Sequence, residues 1–194
     1  MVDLTDIITS KVKVKLLELF FSNIHEMYHV RGIVREVGEE INAVRIVLDK
    51  FEKAGILKKE PRGNRIYYWV RSDYEFFEDI LAMVAKTTGL GRQIIENKNK
   101  IGKVAYVMFS GRFARRNKKV KEDEVDILVV GEVILPELAT YIRYEESKRG
   151  YEINYTVMTK DEFDFRKKRR DPFLQSIMAG SRMMIIGEEE ALVS

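Results

Sequence analysis

The sequence contains no cysteine, only two histidines, three prolines and one tryptophan among its 194 residues. The lack of cysteine excludes disulfide bonds and thiolate metal sites, and it suits a reducing compartment. No stretch approaches the roughly 18–20 apolar residues that a membrane-spanning helix requires. The N-terminal residues include acidic side chains and no apolar leader. We therefore expect a cytoplasmic protein with no membrane partner.

The two histidines, His25 and His29, are four residues apart, a spacing that can place two imidazoles on one helix face. They lie in a predicted turn, and the sequence has no cysteine or third histidine to complete a zinc site. We therefore interpret both as surface or packing residues.

Hydrophobic residues make up 45% of the chain, which is enough to form a packed core. The net charge of +3 is unevenly distributed. Residues 1–71 hold 13 Lys and Arg against 10 Asp and Glu, whereas residues 72–194 hold 21 of each kind. The excess of positive charge in the first part is compatible with nucleic-acid binding but does not require it.

The first part of the chain predicts three helices followed by a β-hairpin. Apolar residues with a helical period mark the first helix, namely Ile7, Ile8, Val12, Leu16, Leu17 and Phe20. The second helix is expected to end at Gly38 and the third at Gly55. Two β-rich runs joined by residues 61–64 predict the hairpin. The apolar first helix is explained equally well as core or as the surface of a homodimer.

The remainder predicts a helical connector over residues 72–102, with a second helix from about 92 to 99. Strands are expected at 103–109, 125–131, 151–159 and 182–187, with a helix ending at Gly150 and further helix within 160–180. This alternation predicts an α+β protein whose second half is a mixed sheet covered by helices. The predicted domains are 1–71, the connector 72–102, and 103–194.

Residues 11–71 resemble winged helix-turn-helix transcriptional repressors, on the basis of NAVRIVLDKFEKAGIL followed by KKEPRGNRIYYWV. In that family the third helix lies in the major groove and the wing contacts the DNA backbone. The resemblance implies double-stranded DNA as a partner, with core positions at Val44, Leu48 and Phe51. It places the DNA-binding residues at Asn42, Arg45, Lys50, Arg62, Asn64 and Arg65, with Asp49 on or near the same exposed face of the third helix.

Two features of the third helix oppose this interpretation. Glu39 and Glu40 precede the helix, where they either repel phosphate or stabilise the helix dipole. Ile46 and Val47 occupy positions that often carry polar groups in such helices, which favours packing against another domain or subunit. The sequence leaves open both DNA binding and a purely interaction role.

The second half resembles the polymerase-β-type nucleotidyltransferases, particularly their minimal members. The matching stretches are TTGLGRQI, AYVMFSGRFAR, EVDILVVG, EINYTVMTKDEF and DPFLQSIMAG. The whole chain resembles prokaryotic, largely archaeal, proteins that join a winged helix to such a domain. The family transfers a nucleotide with two divalent ions held by carboxylates, and an acid-x-acid pair on a strand presents both carboxylates to one face.

The match to that family is partial. Gly111 fits the glycine of the triphosphate turn, but Arg112 replaces the usual serine and Arg116 replaces a second glycine. Asp126 fits an acid position and Glu124 stands where Asp is usual. The third acid position falls at Asn154, with Glu152 two residues earlier. The resemblance thus implies catalytic Glu124 and Asp126, metal ligands Glu124, Asp126 and Glu152, and nucleotide-binding Gly111, Arg112 and Arg115.

Two further interpretations remain open at this site. The basic residues Arg115, Arg116, Lys118, Lys119 and Lys121 form either a solvated charge run or a clamp on triphosphate or nucleic-acid backbone. Asp126 is either a site residue or an acid on the solvent side of a strand edge.

Three altered catalytic positions argue against efficient catalysis, because small shifts of reacting groups impair transfer. We therefore expect a DNA-binding transcriptional regulator whose second domain is catalytically degenerate and acts as a sensor or interaction module. One alternative is an active nucleotidyltransferase that uses Mg²⁺ and a nucleoside triphosphate to modify protein, nucleic acid or a small molecule. Another is a toxin–antitoxin or complex subunit that works with a protein partner.

Overall fold

The computed structural model describes residues 3–119 and 124–193. The protein belongs to the α+β class and, within the described residues, contains two small sheets. It divides into two compact units between Thr87 and Thr88, so the segment predicted as a connector is shared between them. No helix in the described part of the chain is long and apolar enough to cross a bilayer.

The first unit consists of four helices and a three-stranded sheet in its described residues, after a 3₁₀ turn at Leu4–Asp6. The helices are α1 (Lys11–Phe21), α2 (Val30–Val37), α3 (Ile41–Lys53) and α4 (Phe77–Thr87). The strands are β1 (Tyr28–His29), β2 (Leu57–Arg62) and β3 (Arg65–Val70). They pair antiparallel in the order β1-β3-β2.

Helix α1 begins later than its apolar pattern predicts. It starts at Lys11 because Ser10 is its N-cap, with the Ser10 Oγ accepting the Lys13 N–H at 3.4 Å. Ile7 therefore lies outside the helix and is 70% exposed, whereas Leu16 and Phe20 are buried in the core. The interpretation of Leu16 and Phe20 as a dimer surface was wrong.

The other predictions for the first unit agree well with the structure. Helix α2 ends before Gly38, which adopts the left-handed conformation at φ 65°. The three predicted core residues of α3, Val44, Leu48 and Phe51, are buried, and so is Val47. The hairpin turn is shorter than predicted and consists of residues 63–64, because the strand pairing continues to the last pair, Arg62 and Arg65.

The second unit contains a four-stranded mixed sheet, as predicted. Its strands are β4 (Gly102–Ser110), β5 (Ile127–Val133), β6 (Tyr155–Met158) and β7 (Arg182–Ile186). The order is β6-β5-β4-β7, with β5 and β6 parallel and the other pairs antiparallel. The helices are α5 (Gly89–Glu96), α6 (Lys98–Ile101), α7 (Gly111–Ala114), α8 (Leu135–Arg149), α9 (Lys160–Lys168), α10 (Pro172–Met178) and α11 (Glu189–Val193).

Three boundaries in this unit differ from prediction. The helix expected from about 92 to 99 begins at Gly89 and ends at Glu96. The acids Glu124 and Asp126 precede β5 instead of lying within it, and β6 starts only at Tyr155. The Asp126 side chain explains the late start of β6, because its Oδ2 accepts the Asn154 N–H at 2.9 Å.

In the core of the second unit, helices α9, α10 and α11 pack against one face of the sheet. Its buried members are Met108, Leu128, Val130, Met158, Phe163, Leu174 and Leu192. Residues 127–130 of β5 are all inaccessible to solvent, so both faces of this strand are covered. Asp126 therefore directly precedes a strand that is buried on both faces.

Candidate nucleic-acid interface and a neutralised acidic cluster

A basic surface of the first unit surrounds a cavity of about 500 Å³. Arg31 of α2, Arg45 of α3, and Asn64 and Arg65 of the hairpin all line it. Within the described residues, the guanidinium groups of these three arginines form no ion pair. Asp49 also lines the cavity and the charge of Arg45 acts on Glu40, so three arginines face two acids. The surface keeps an excess of positive charge, which attracts anions.

His29 holds the N-terminus of α2 beside this surface. Its Nδ1 accepts the Gly32 N–H at 2.9 Å, and its ring packs edge-on against Tyr67 with centroids 5.7 Å apart. These contacts connect β1, α2 and β3, and they fix Arg31 in the first turn of α2. His29 is thus a capping and packing residue, as the sequence analysis expected.

Glu39 and Glu40 both have partners within the first unit. Glu40 is the N-cap of α3, and its Oε2 accepts the N–H groups of Asn42 and Ala43 at 2.8 and 3.0 Å. These backbone hydrogen bonds, that of Asn42 first, lower the pKa of Glu40. The Glu39 Oε1 lies 2.6 Å from the Nζ of Lys15. The helix-stabilising interpretation therefore accounts for Glu40.

The six predicted DNA-binding residues are all solvent-exposed, and so is Asp49. Arg62 differs from the other arginines of this surface, because its Nη2 lies 3.0 Å from the Oε2 of Glu60. Its guanidinium also lies 5.7 Å from the centroid of the Tyr67 ring, and the Glu60 hydrogen bond raises the pKa of Arg62. The Arg62 guanidinium therefore has two partners within the hairpin, Glu60 and Tyr67.

Sequence reasoning missed Arg31, which the fold brings to the same surface. The sequence did contain an indication of this role. A positive charge in the first turn of a helix is unfavourable to the helix dipole, so an arginine at this position is more readily explained by a contact outside the helix.

In the second unit, Gly111 packs tightly against Ser181. The Gly111 N–H donates to the Ser181 carbonyl oxygen at 2.6 Å, and a Cβ on Gly111 would lie 2.8 Å from the Ser181 Cβ. The preceding Ser110 caps α7, with its Oγ accepting the Phe113 N–H at 3.2 Å. Close packing against the segment before β7 therefore explains why this position is glycine.

Asp126 is the most buried charged group of the candidate site, with no accessible surface. Its Oδ1 forms an ion pair with the Nη2 of Arg112, and its Oδ2 lies 3.2 Å from the Nζ of Lys119. The Nε of Arg112 also lies 3.0 Å from the Oε2 of Glu124. We call Arg112, Lys119, Glu124 and Asp126 the acidic cluster. The interpretation of Asp126 as a solvent-side acid was wrong.

Two cations neutralise the two carboxylates of the acidic cluster. Burial, and after it the positive charge of Arg112, lower the pKa of Lys119. The Lys119 Nζ also donates to the carbonyl oxygen of Glu152 at 3.2 Å. Arg112 and Lys119 thus contact the carboxylate oxygens that a metal ion would need.

The residues of this site do not fit a divalent ion as they are arranged. Among residues 3–119 and 124–193, no group of three His, Asp or Glu side chains is placed to hold a metal. Glu124 and Asp126 come together, but Glu152 reaches Lys119 through its backbone carbonyl. At the third acid position, the Asn154 Nδ2 donates to the Glu124 carbonyl oxygen at 3.1 Å.

A buried pair behind the acidic cluster supports α7. The Nε of Arg149 lies 2.7 Å from the Oε1 of Glu145, which is 2% exposed. The Arg149 guanidinium stacks 4.1 Å from the centroid of the Phe113 ring and donates to the Phe113 carbonyl oxygen at 3.3 Å. Sequence reasoning missed this pair, although its i, i+4 spacing near the end of a helix was visible.

A basic pocket of about 730 Å³ opens beside the acidic cluster. Arg116, Lys118, Tyr151 and Glu152 are among the residues that line it. Arg115, predicted to bind nucleotide, donates from its Nη1 to the Ser181 Oγ at 3.0 Å. Lys121 of the predicted basic run lies outside the described residues.

Comparison with known proteins gives no relative for this chain. No protein-family model matches it, and no curated protein or solved structure is significantly similar to it.

Proposed function

We propose that the protein binds double-stranded DNA as a transcriptional regulator, through the surface formed by α3 and the β2–β3 hairpin. The order α1-β1-α2-α3-β2-β3, with a three-stranded antiparallel sheet, supports a winged helix-turn-helix arrangement. In such an arrangement α3 enters the major groove and the β2–β3 hairpin is the wing.

The observation that carries this proposal is the convergence of Arg31, Arg45 and Arg65 on one exposed surface. They come from three different elements, and no carboxylate of the described residues forms an ion pair with them. Exposed arginines that are not held in an ion pair can bind phosphate oxygens directly, and each such contact releases a counterion from the DNA.

The second unit is proposed to have a nucleotidyltransferase-like fold that acts as a sensor or interaction module. The mixed sheet, the Gly111 turn and the acids at the start of β5 support this assignment. Transfer of a nucleotide needs divalent ions at the carboxylates. In the acidic cluster those carboxylates are paired with Arg112 and Lys119 instead.

The DNA-binding proposal is tested by fluorescence anisotropy of the full chain with a labelled genomic duplex pool at several salt concentrations. We expect the logarithm of the affinity to fall linearly with the logarithm of salt. Replacing Arg31, Arg45 and Arg65 together by Ala is expected to remove most of the binding. The matched control replaces three exposed arginines of the second unit, Arg143, Arg169 and Arg170, by Ala.

The proposal fails if the wild-type protein does not bind the duplex pool, or if the control variant loses as much affinity as the triple variant. The enzyme alternative is tested with labelled nucleoside triphosphates and Mg²⁺ or Mn²⁺. We expect no label on any acceptor, and label that is lost on Asp126→Asn would establish a transferase instead.

A further inference from the structure

Helix α3 exposes an apolar side chain in the middle of a polar face. Ile46 is 56% exposed and is the one exposed large apolar residue of α3, every residue of which the structure describes. Residues three and four positions away on a helix share its face. Those neighbours of Ile46 are the exposed Asn42, Asp49 and Lys50 and the half-buried Ala43.

This pattern is poorly suited to a protein partner. A stable protein interface buries about 800 Å² on each side around an apolar core. On α3 the neighbours of Ile46 are one amide, two groups of opposite charge and the small Ala43, which is too little apolar surface for such a core. The chain neighbour Arg45 belongs to the basic surface. Charge complementarity therefore favours a polyanion that presents a single apolar group among polar ones.

The major groove of DNA has this character. Its base edges carry hydrogen-bond donors and acceptors, and its apolar group is the C5-methyl of thymine. Ile46 is the sixth residue of α3, within the N-terminal half that reaches the base edges when a helix of this kind docks in the groove.

We infer that Ile46 is a specificity-determining residue that contacts the methyl group of a thymine in the DNA site. The inference rests on the proposed function, and it goes further because it requires base-selective binding. Removing one buried methyl group costs about 0.8 kcal/mol, which corresponds to a roughly fourfold change in affinity.

The test begins with selection of preferred sites from a randomised duplex pool by the full chain. Each thymine of the selected duplex is then replaced in turn by deoxyuridine, which keeps the base pair and removes only the methyl group. Dissociation constants are measured for the wild-type protein, for Ile46→Ala and for the control Ile134→Ala. Ile134 is a comparable isoleucine of the second unit, 52% exposed.

At one thymine position we expect deoxyuridine to weaken wild-type binding roughly fourfold. Ile46→Ala should bind the thymine and deoxyuridine duplexes equally, whereas Ile134→Ala should keep the fourfold difference. Circular dichroism checks that Ile46→Ala is folded, and Ile46→Val, which keeps most of the apolar contact, should retain most of the discrimination.

Four results overturn the inference. If the protein binds duplexes in a salt-dependent manner but selects no preferred sequence, the inference about Ile46 fails and the proposed function stands. If the protein binds no duplex at all, the inference and the proposed function both fail. Deoxyuridine sensitivity that persists in Ile46→Ala assigns the methyl contact to another residue. A change in the sedimentation mass of the free protein on Ile46→Ala would instead make this face a subunit interface.

Discussion

Arg112 and Asp126 form an ion pair in which the carboxylate is completely buried and the guanidinium side chain is only 15% exposed. The same guanidinium contacts Glu124, so one cation joins two acids that are two residues apart in the chain. Removing one partner of a buried pair leaves an uncompensated charge, which is far more destabilising than removing both.

Arg112→Met should therefore lower the free energy of unfolding by about 3–5 kcal/mol in urea denaturation. Lys119 stays near Asp126 and limits the loss. The double variant Arg112→Met/Asp126→Asn should recover most of the stability, because the completely buried group at position 126 no longer carries a charge. Equal instability of the single and double variants would show that Arg112 acts through packing and not through its charge.

Gly111→Ala should destabilise the second unit by about 1–3 kcal/mol, the usual range for overpacking. The added Cβ would meet the side chain of Ser181, and the hydrogen bond between the two backbones prevents easy separation. Thermal unfolding should show partial recovery in Gly111→Ala/Ser181→Gly. Gly180→Ala is the matched control, since a Cβ there meets no atom within 4 Å.

The contribution of Glu40 to stability should depend on pH. Its pKa is lowered in the folded protein from the ordinary value of 4.5, so the ionised carboxylate favours folding. This contribution is complete above the ordinary value and is lost as the pH falls through the lowered one. Melting temperatures of wild type and Glu40→Ala should differ at pH 7 and converge as the pH falls below the lowered pKa of Glu40.

The control for this experiment is Glu36→Ala, which removes an exposed carboxylate of α2. The difference in melting temperature between wild type and Glu36→Ala should not show the pH dependence expected for Glu40→Ala. A difference between wild type and Glu40→Ala that stays constant at every acidic pH at which the protein remains folded would mean that the charge of the cap is irrelevant.

Arg31→Ala should weaken duplex binding similarly on all sequences, because we assign Arg31 to phosphate contact. The slope of log affinity against log salt should decrease in magnitude by about 1. Arg143→Ala, which removes an equally exposed arginine of the second unit, should leave the slope unchanged. An unchanged slope in Arg31→Ala would remove Arg31 from the DNA contacts.

Local patterns predicted most of the fold, because helix ends and strands depend on short-range chemistry. Gly38 and Gly150 end their helices as expected, and both take the left-handed conformation that glycine favours. The start of α1 was predicted too early because a continuous apolar pattern concealed the capping role of Ser10. The exposed positions of α3 followed from its helical period.

The candidate sites were only partly predictable, because their decisive contacts join residues far apart in the sequence. The family pattern drew attention to Asp126 and to the replacement at Arg112, but spacing could not show that the guanidinium pairs with the carboxylate. The approach of Lys119 to Asp126 and of Arg31 to the hairpin likewise depends on the tertiary fold.

The pairing of β4 with β7 determines when the second unit can fold during synthesis. Met108 lies opposite Met184, so the sheet is completed only after nearly all of this unit has left the ribosome. The sheet of the first unit closes once residue 70 has emerged, since its last strand is β3. Long-range pairing is slow and leaves strand edges exposed in the meantime. We therefore expect the nascent second unit to expose unpaired strand edges for longer than the first.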